Sequence, residues 1–205
     1  MAKYRIRSNE RVAFIGKTGS GKTFAARYLL RGLRRVILLD PKGTNTPAKG
    51  WDVEPWSDKG YKRLRDGEAC RLRVPPPANN EWGQYIERFL ALRDATLYID
   101  EMYAIADDKT SKDVIRAALT RGREFGLGVW GATQRPKQVP LFMFTEAEWV
   151  LVWRLNDIED RKRVVQLTGC PDLLEIPKRK YHFWLFNQEW DEPLDAVIRE
   201  KEGTA

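Results

Sequence analysis

The amino-acid sequence predicts an α/β fold in which a mostly parallel central sheet is flanked by helices. Short apolar runs of strand length alternate with helical patterns along the chain, which is the order that a parallel sheet requires. The run Val36 to Leu39 is apolar at every position, as is typical of a strand buried on both faces. At roughly 100 to 200 residues per domain, the 205 residues are expected to form a single domain.

The first strand is predicted at residues 11–15, where it ends in a glycine-rich turn. A helix over about residues 22–31 follows, because Gly32 stands where glycine commonly terminates a helix. After the strand at residues 36–39, residues 44–68 are rich in Gly, Pro, Lys and Asp. This segment is interpreted as an irregular basic excursion with one short helix at most.

The middle of the chain continues the alternation. Residues 70–74 are predicted to form a strand, because three prolines stop the run that follows Cys70. Residues 80–93 are predicted to form a helix, because their apolar side chains fall on one helical face. Strands are also predicted at residues 96–99 and 127–133, on either side of a helix that opens at Ser111.

The C-terminal part is predicted to complete the sheet. Residues 149–153 form the last strong apolar run, and a helix over residues 156–168 begins with acidic residues and ends at Gly169. A strand at residues 181–186 follows, and residues 187–205 are interpreted as a short C-terminal extension.

Composition and charge exclude several classes of protein. No apolar run approaches the roughly 20 residues that cross a bilayer, and the basic N-terminus lacks the apolar segment of a secretory signal, so a soluble protein is expected. Two cysteines and one histidine make neither a disulfide framework nor a Cys/His metal site, so any metal needs oxygen ligands. The net charge of +7 favours anionic partners, nucleic acid first, with solubility alone as the alternative.

Residues 16–23, GKTGSGKT, match the phosphate-binding pattern G-x-x-x-x-G-K-[ST], known as Walker A, between a predicted strand and a predicted helix. The glycines let backbone N–H groups point at phosphates, and the helix adds the positive end of its dipole. Lys22 is expected to contact the β- and γ-phosphates and Thr23 to ligate Mg²⁺. ATP and Mg²⁺ are therefore the expected ligands. The predicted nucleotide-binding residues are Gly16, Lys17, Thr18, Gly19, Ser20, Gly21, Lys22 and Thr23.

A second apolar strand ends in Asp100 and Glu101, as a Walker B element does. Asp100 is expected to hold Mg²⁺, and Glu101 is expected to act as the general base toward water. A small-molecule kinase has no need of this glutamate, so hydrolysis is favoured. Gln134 directly follows the strand at residues 127–133 and is placed to reach the γ-phosphate. The predicted catalytic residues in this part of the site are Lys22, Glu101 and Gln134.

Five stretches together resemble the FtsK-HerA superfamily of DNA-pumping ATPases, which are ring-forming P-loop NTPases of the RecA-like (ASCE) type. The stretches are residues 16–23, 40–43 (DPKG), 98–101 (YIDE), 122–126 (GREFG) and 132–136 (ATQRP). The last two are the most specific, because ordinary P-loop kinases and GTPases lack the combination. The resemblance spans about residues 11–186 and implies one motor domain, residues 1–205, that hydrolyses ATP to translocate double-stranded DNA.

A bare motor of this length looks most like the minimal genome-packaging ATPases of tailless icosahedral viruses. The resemblance implies packaging of a viral double-stranded DNA genome by a homo-oligomeric ring, a pentamer or hexamer. Capsid-vertex or portal proteins are the implied partners, and the host cytoplasm or the packaging vertex of the virion is the implied location. Two alternatives stay open: an assembly or secretion factor that acts on protein, as in filamentous-phage morphogenesis, and a cellular HerA-like or conjugation-type DNA pump.

Arg123 stands eleven positions before Gln134, where related coupling ATPases keep an arginine finger. The resemblance therefore implies that Arg123 is a catalytic residue that enters the neighbouring subunit's site and stabilises charge on the transferring phosphoryl group. Arg121 and Arg161 are substitutes for this role. The alternative is that Arg123 only caps the C-terminus of a helix.

A DNA pump needs Lys and Arg to hold phosphates without reading sequence. Candidate DNA contacts lie in the excursion, after Gln134 and near the last strand, and solvated surface charge is the alternative for each. Trp51, Trp56 and Tyr61 would add base stacking if single strands were bound. The basic candidates are Lys59, Lys62, Arg63 and Arg65, then Arg135 and Lys137, and then Lys178, Arg179 and Lys180. The surplus positive charge is expected to gather on one ring face or in the pore.

Overall fold

The computed structural model describes residues 4–43, 52–79, 81–106 and 109–199, and within them one sheet contains nine strands. The strands are β1 (Val12–Ile15), β2 (Arg35–Leu39), β3 (Glu54–Pro55), β4 (Cys70–Val74), β5 (Thr96–Asp100), β6 (Gly128–Thr133), β7 (Trp149–Val152), β8 (Phe183–Asn187) and β9 (Leu194–Ala196). The helices are α1 (Lys22–Leu30), α2 (Asp58–Arg65), α3 (Gly83–Leu90), α4 (Tyr103–Ala106), α5 (Lys109–Arg121), α6 (Phe142–Thr145) and α7 (Ile158–Thr168).

The strands lie in the order β3-β4-β2-β5-β6-β1-β7-β8-β9. All neighbours from β3 to β7 are parallel, whereas β7 with β8 and β8 with β9 are antiparallel. This is the mostly parallel α/β fold that the alternating pattern predicts. Because β2, β5, β6 and β1 are parallel neighbours, the loops that follow them meet at one edge of the sheet, and the candidate site lies there.

Both faces of the sheet are buried by helices. In β1, Ala13 and Ile15 join one buried apolar cluster, and Val12 and Phe14 join the other, because successive side chains of a strand point to opposite faces. The first cluster is packed under α3 and α5, and the second lies under α1. This two-sided burial explains why the central strands are continuous apolar runs.

Several short elements differ from the sequence-based expectation. Helix α3 is shorter than the predicted 80–93, and α4 and α6, of four residues each, were not predicted. The excursion contains one short helix, α2, as predicted, and also the two-residue strand β3; residues 44–51 lie outside the described residues. Part of the predicted C-terminal extension forms β9, which pairs with β8.

Helix α2 shows why the excursion has local order. Ser57 accepts a hydrogen bond from the backbone N–H of Gly60 at 3.1 Å and thereby caps the N-terminus of the helix. Leu64 is fully buried in the apolar cluster that includes Leu72 of β4. Within the described residues, no helix has both the length and the apolar character that crossing a membrane requires.

Candidate active site

The loop at residues 16–21 joins β1 to α1 and is anchored to the neighbouring strands. The backbone N–H of Gly16 donates to the carbonyl of Thr133 at 3.1 Å, and that of Lys17 donates to the carbonyl of Arg154 at 3.1 Å. A Cβ atom at Gly16 would lie 2.6 Å from Cβ of Trp153, so this position must be glycine. The loop is thus held between the ends of β6 and β7.

Two further glycines shape the loop. Gly19 and Gly21 have φ of 73° and 107°, a region that glycine enters without steric cost. Gly21 directly precedes α1, whose first N–H groups have no acceptor within the helix and point toward the loop. The hydroxyl of Ser20 is buried and has no hydrogen-bond partner among the described residues. An anion with several oxygens fits this set of donors.

Lys22 is the buried cation of the loop. The residue is 7% exposed, and its Nζ donates to the carbonyls of Gly16 at 2.5 Å and Lys17 at 3.0 Å. Burial lowers the pKa of Lys22 to about 8, although the negative charges of Glu101 and Asp100 act in the opposite direction. Lys22 therefore lies at the start of α1, near the carboxylates of Asp100 and Glu101, and its pKa is close to neutral pH.

Glu101 lies directly after β5 with an unusual backbone conformation. Its φ is 106°, a region that non-glycine residues rarely adopt and that is often retained at functional sites. The side chain is 2% exposed, and Oε1 accepts the backbone N–H of Gln134 at 3.2 Å. Oε2 accepts Nε2 of Gln134 at 2.8 Å and Nζ of Lys42 at 2.7 Å. Glu101 and Gln134 are thus in direct contact, although 33 positions separate them.

Gln134 connects this carboxylate to the phosphate-binding loop. It follows the last residue of β6, and its side chain also accepts a hydrogen bond from the hydroxyl of Thr18. Gln134 therefore contacts both the loop, through Thr18, and the predicted base, Glu101. The sequence-based placement of Gln134 beside the γ-phosphate position stays a prediction, and its contacts are consistent with that role.

Asp100 and Thr23 are the predicted Mg²⁺ ligands. Asp100 is buried at the end of β5, where Oδ1 accepts a hydrogen bond from the hydroxyl of Tyr98 at 3.0 Å. Burial raises the pKa of Asp100, and the Tyr98 hydroxyl opposes that shift. Thr23 is half-buried and lines the same cavity. A carboxylate and a hydroxyl fit Mg²⁺, which takes oxygen ligands and usually completes its shell with phosphate oxygens and water.

These side chains meet in one cavity of about 380 Å³. Its size lies within the range of about 300 to 1,000 Å³ typical of ligand pockets. The predicted residues that line it are Thr18, Gly19, Gly21, Lys22, Thr23, Asp100, Glu101 and Gln134, and Lys42, Phe24, Arg27, Ala132 and Tyr181 join them. Most of the lining is therefore predicted by the sequence motifs, whereas the residues of the second group have no sequence-based role.

Lys42 has no sequence-based role, but it lines the cavity and contacts the predicted base Glu101. It occupies the third position of the turn Asp40 to Gly43, in which the N–H of Gly43 donates to the carbonyl of Asp40 at 3.1 Å. Asp, Pro and Gly at the first, second and fourth positions are the preferred residues of a type I turn. Asp40 is fully buried, and its Oδ2 accepts two hydrogen bonds from Arg73 at 2.9 and 2.7 Å. The turn thus projects Lys42 from a rigid base.

A second cavity, of about 580 Å³, adjoins the loop on the side of β8 and β9. It shares Gly21, Phe24 and Tyr181 with the first cavity, and Ile198 also lines it. Phe24 and Tyr181 are both exposed, and Nζ of Lys180 lies 4.9 Å from the ring centre of Tyr181. An apolar, aromatic space beside a phosphate-binding loop fits the base of a nucleotide.

Arg123 does not join this cavity. It lies in a 3₁₀ turn (Gly122–Phe125), is 69% exposed, and its guanidinium is 3.5 Å from Glu148. Glu148 is next to Arg11, at the amino end of β1, whereas the phosphate-binding loop follows the carboxyl end of that strand. Arg121 is also exposed, and Arg161 donates to the carbonyl of Leu174 at 3.1 Å.

The predicted DNA-contacting cations differ in how far their charges are neutralised. In the excursion, Lys62 pairs with Asp66 at 2.6 Å and Arg63 pairs with Glu54 at 2.8 Å. The loop after Gln134 is also paired, through Lys137 with Asp157 at 2.9 Å and Arg135 with Asp160 at 4.0 Å. The exposed Lys178, Arg179 and Lys180 have no carboxylate within 4.0 Å in the part of the chain that the structure describes.

Two aromatic residues of the excursion, Trp56 and Tyr61, pack against other parts of the protein. Trp56 stacks on Tyr61 with ring centres 5.6 Å apart and contacts Tyr85 edge-on at 5.0 Å. The hydroxyl of Tyr61 donates to the carbonyl of Arg88, and both Trp56 and Tyr61 pack against the core. Their suggested role in stacking on single strands stays a prediction, which these packing contacts do not favour; Trp51 lies outside the described residues.

Comparison with known proteins gives one relative by sequence. No protein-family model matches the chain. The chain is 27% identical over 159 residues to the DNA packaging ATPase P9 of Enterobacteria phage PRD1. The alignment covers 76% of this chain and 68% of the phage protein.

Solved structures share the fold at lower identity. The genome packaging NTPase B204 of Sulfolobus turreted icosahedral virus 2, in complex with AMP, superposes with a TM-score of 0.77 at 15% identity, over 95% of this chain and 100% of B204. B204 has also been solved with AMPPCP and with ATP-gammaS. The pCW3 conjugation coupling protein TcpA superposes with a TM-score of 0.64 at 15% identity, over 91% of this chain and 60% of TcpA.

These similarities agree with the motifs. The relative found by sequence is a viral packaging ATPase, and the solved structures share the predicted P-loop fold. The resemblance of this chain to FtsK-HerA-type ATPases, and among them to viral genome-packaging ATPases, is thereby confirmed.

Proposed function

We propose that this protein is an ATP-hydrolysing motor that moves double-stranded DNA into a viral capsid. The observation that carries the proposal is the meeting of the phosphate-binding loop, Asp100, Glu101 and Gln134 in one cavity. The sequence similarity to DNA packaging ATPase P9 supplies the substrate, DNA.

The loop binds the phosphates and Glu101 serves as the base. Lys22 and the first N–H groups of α1 hold the β- and γ-phosphates. An attacking water bonds to the γ-phosphorus and passes a proton to Glu101, while the bond from that phosphorus to the bridging oxygen breaks and ADP leaves. Gln134, which contacts Glu101 at 2.8 Å, orients the water. Mg²⁺ held by Asp100 and Thr23 would supply a Lewis acid for the phosphoryl oxygens.

Arg123 acts in the site of a neighbouring subunit. Its exposed guanidinium lies at the amino edge of the sheet, so it is remote from the loop of its own chain. A residue so placed serves catalysis only across an interface, which requires a homo-oligomeric ring with a head-to-tail arrangement. The resemblance to ring-forming ATPases supports a pentamer or hexamer.

DNA is held by the cluster of Lys178, Arg179 and Lys180. These cations are exposed and unneutralised among the described residues, whereas Lys62 and Arg63 of the excursion are paired with carboxylates. Lys180 also touches Tyr181, which lines the nucleotide cavity, so this segment links the two ligands. Phosphate contacts of this kind hold DNA without reading its sequence.

Steady-state ATP hydrolysis with and without duplex DNA tests the proposal. The wild-type chain should hydrolyse ATP faster with DNA, and Glu101→Gln should lose hydrolysis while it still binds ATP. Lys162→Ala removes an exposed 2.9 Å ion pair with Glu159 and serves as the control that retains hydrolysis. In Lys178→Ala/Arg179→Ala, the stimulation by DNA should fall. Hydrolysis that duplex DNA leaves unchanged would count against a DNA motor and favour a protein substrate.

A further inference from the structure

Glu101 is engaged in a way that opposes its role as base. Both of its oxygens accept hydrogen bonds from Gln134, and Oε2 also accepts the ammonium of Lys42 at 2.7 Å. A carboxylate has about four acceptor positions, and three N–H donors occupy three of them here, so only one position is left for the proton of a water. Release of one of these donors would make Glu101 a more accessible base.

Lys42 is the donor that is free to move. Its side chain is 39% exposed, whereas that of Glu101 is 2% exposed. The ammonium ends a flexible four-carbon stem, and the stem lines the same cavity as Lys22 and Thr23. By contrast, the turn below it is fixed by the buried Asp40 and its two hydrogen bonds from Arg73. The base of the side chain is thus rigid and its tip is mobile.

A bound triphosphate would give the ammonium of Lys42 a second anionic partner. The side chain lines the same cavity as the phosphate-binding Lys22 and the predicted Mg²⁺ ligand Asp100, so the ammonium lies close to the expected position of the phosphates. A terminal phosphate in this cavity carries more negative charge than the single carboxylate of Glu101. The γ-phosphate of a triphosphate therefore competes with Glu101 for the ammonium of Lys42. A diphosphate lacks this phosphate and does not compete.

We propose that Lys42 is a terminal-phosphate sensor that restrains Glu101 until a triphosphate is bound. Its ammonium pairs with Glu101 in the nucleotide-free and diphosphate-bound protein and passes to the terminal phosphate of a triphosphate. Glu101 is then released from one donor and accepts the proton of the attacking water. The inference rests on the proposed ATPase function and adds to it a positioning residue that ties base activation to the γ-phosphate.

Gln134 would transmit the same event from the other side. Its side chain accepts a hydrogen bond from Thr18 of the loop and donates one to Glu101. Phosphate bound by the loop would therefore affect both residues that donate to the carboxylate, Gln134 and Lys42. Lys42 differs from Gln134 because it carries charge and therefore discriminates between a diphosphate and a triphosphate.

Binding measurements in the Glu101→Gln background separate this role from simple charge balance. Without the carboxylate, Lys42 has no charge to neutralise, and ATP is not consumed, so ATP and ADP affinities are both measurable by calorimetry. Adding Lys42→Ala should weaken ATP binding by about tenfold or more, as loss of a charged phosphate contact does, and change ADP binding by less than about twofold. Lys42→Arg should restore the preference for ATP, and Lys162→Ala should not alter it.

In the chain that keeps Glu101, Lys42→Ala should lower kcat by about 100-fold with a smaller change in KM, because a charged contact to the γ-phosphate is lost in the transition state, although Glu101 is no longer restrained. Equal effects of Lys42→Ala on ATP and ADP binding, or no effect on either, would overturn the sensor. Failure of Glu101→Gln to bind ATP at all would instead overturn the proposed ATPase function together with it. Thermal unfolding of each variant shows that a loss of binding is not a loss of folding.

Discussion

Lys22 gives the site a dependence on pH whose direction follows from its burial. The pKa of about 8 means that the free protein holds a charged Lys22 below pH 8 and a neutral one above it. Bound phosphates favour the charged form, so the pKa rises in the complex. Above pH 8, binding must therefore take up a proton, and the affinity falls as pH rises.

We predict that the affinity for ADP is nearly constant from pH 6.5 to 7.5 and falls by up to about tenfold per pH unit above 8. Lys22→Arg keeps its charge throughout this range and should give a flatter profile, even if its absolute affinity is lower. Calorimetric titration across the pH series measures both curves. Parallel curves for the two proteins would show that another group causes the decline.

At the scale of single residues, the sequence predicted those parts of the site that local pattern specifies. The loop glycines and Lys22 follow from a motif with a known geometry, and Asp100, Glu101 and Gln134 follow from the ends of strands. Lys42 belongs to the DPKG stretch, which supports the family resemblance but does not predict a role for the residue. Its contact with Glu101 depends on β2 lying beside β5. Strand order is a tertiary property, and nothing local to residue 42 specifies it.

Strand β6 is held at its start by a close approach of backbone. A Cβ atom at Gly128 would lie 2.0 Å from the carbonyl oxygen of Ser8, an oxygen that also accepts a hydrogen bond from Thr96 at 2.7 Å. Because the obstacle is backbone, no side-chain rotation relieves it. The segment before β1 and the central strands are therefore packed at the distance that glycine permits.

Gly128→Ala should lower the free energy of unfolding by about 1 to 3 kcal/mol or more, the range that overpacking costs. Gly32→Ala is the matched control, because the nearest atom to its new Cβ is 3.5 Å away and its φ is not positive. The control should be neutral or stabilising by a few tenths of a kcal/mol. Urea unfolding of both variants measures the difference, and equal stabilities would contradict this packing.

At the scale of elements, long and strongly patterned segments were predictable and short ones were not. The central strands are apolar at nearly every position because both faces are buried. β3 has two exposed residues, and α4 and α6 have four residues each, so each spans only about one period of its pattern and shows no repeat of it. β9 is stabilised by pairing with β8, and its sequence of Leu, Asp and Ala does not predict this contact.

The whole molecule is proposed to work as a ring, and Arg123 tests that arrangement. If Arg123 serves the neighbouring subunit, rings made only of Arg123→Ala subunits and rings made only of Glu101→Gln subunits are both inactive. In a random one-to-one mixture, about a quarter of the head-to-tail interfaces join an intact Glu101 to an intact Arg123. Mixing should therefore restore measurable hydrolysis.

Hydrolysis assays on the mixtures, with each pure variant as a baseline, decide the point. Activity in pure Arg123→Ala rings would show that Arg123 is not the finger, and the same mixtures with Arg121→Ala then test the neighbouring arginine. Mixtures that stay inactive, although sizing shows mixed rings, would place Arg123 in the site of its own chain. That outcome would conflict with its position at the amino edge of the sheet.

The distribution of charge also belongs to the whole molecule. The net charge of +7 does not by itself locate a DNA surface, because Lys62 and Arg63 of α2 and Lys137 after β6 are paired with carboxylates. The unneutralised cluster at residues 178–180 lies beside the nucleotide cavity. A sequence shows how many charges a chain carries, whereas pairing across elements decides which of them remain for a partner.

ATP hydrolysis is proposed to move duplex DNA, and displacement of a third strand from a triplex measures such movement. The wild-type protein should release a labelled third strand from duplex DNA when ATP is present, and Glu101→Gln should release none although it binds both ATP and DNA. Hydrolysis of ATP without release of the third strand, in rings that bind the duplex, would show that the protein does not translocate DNA.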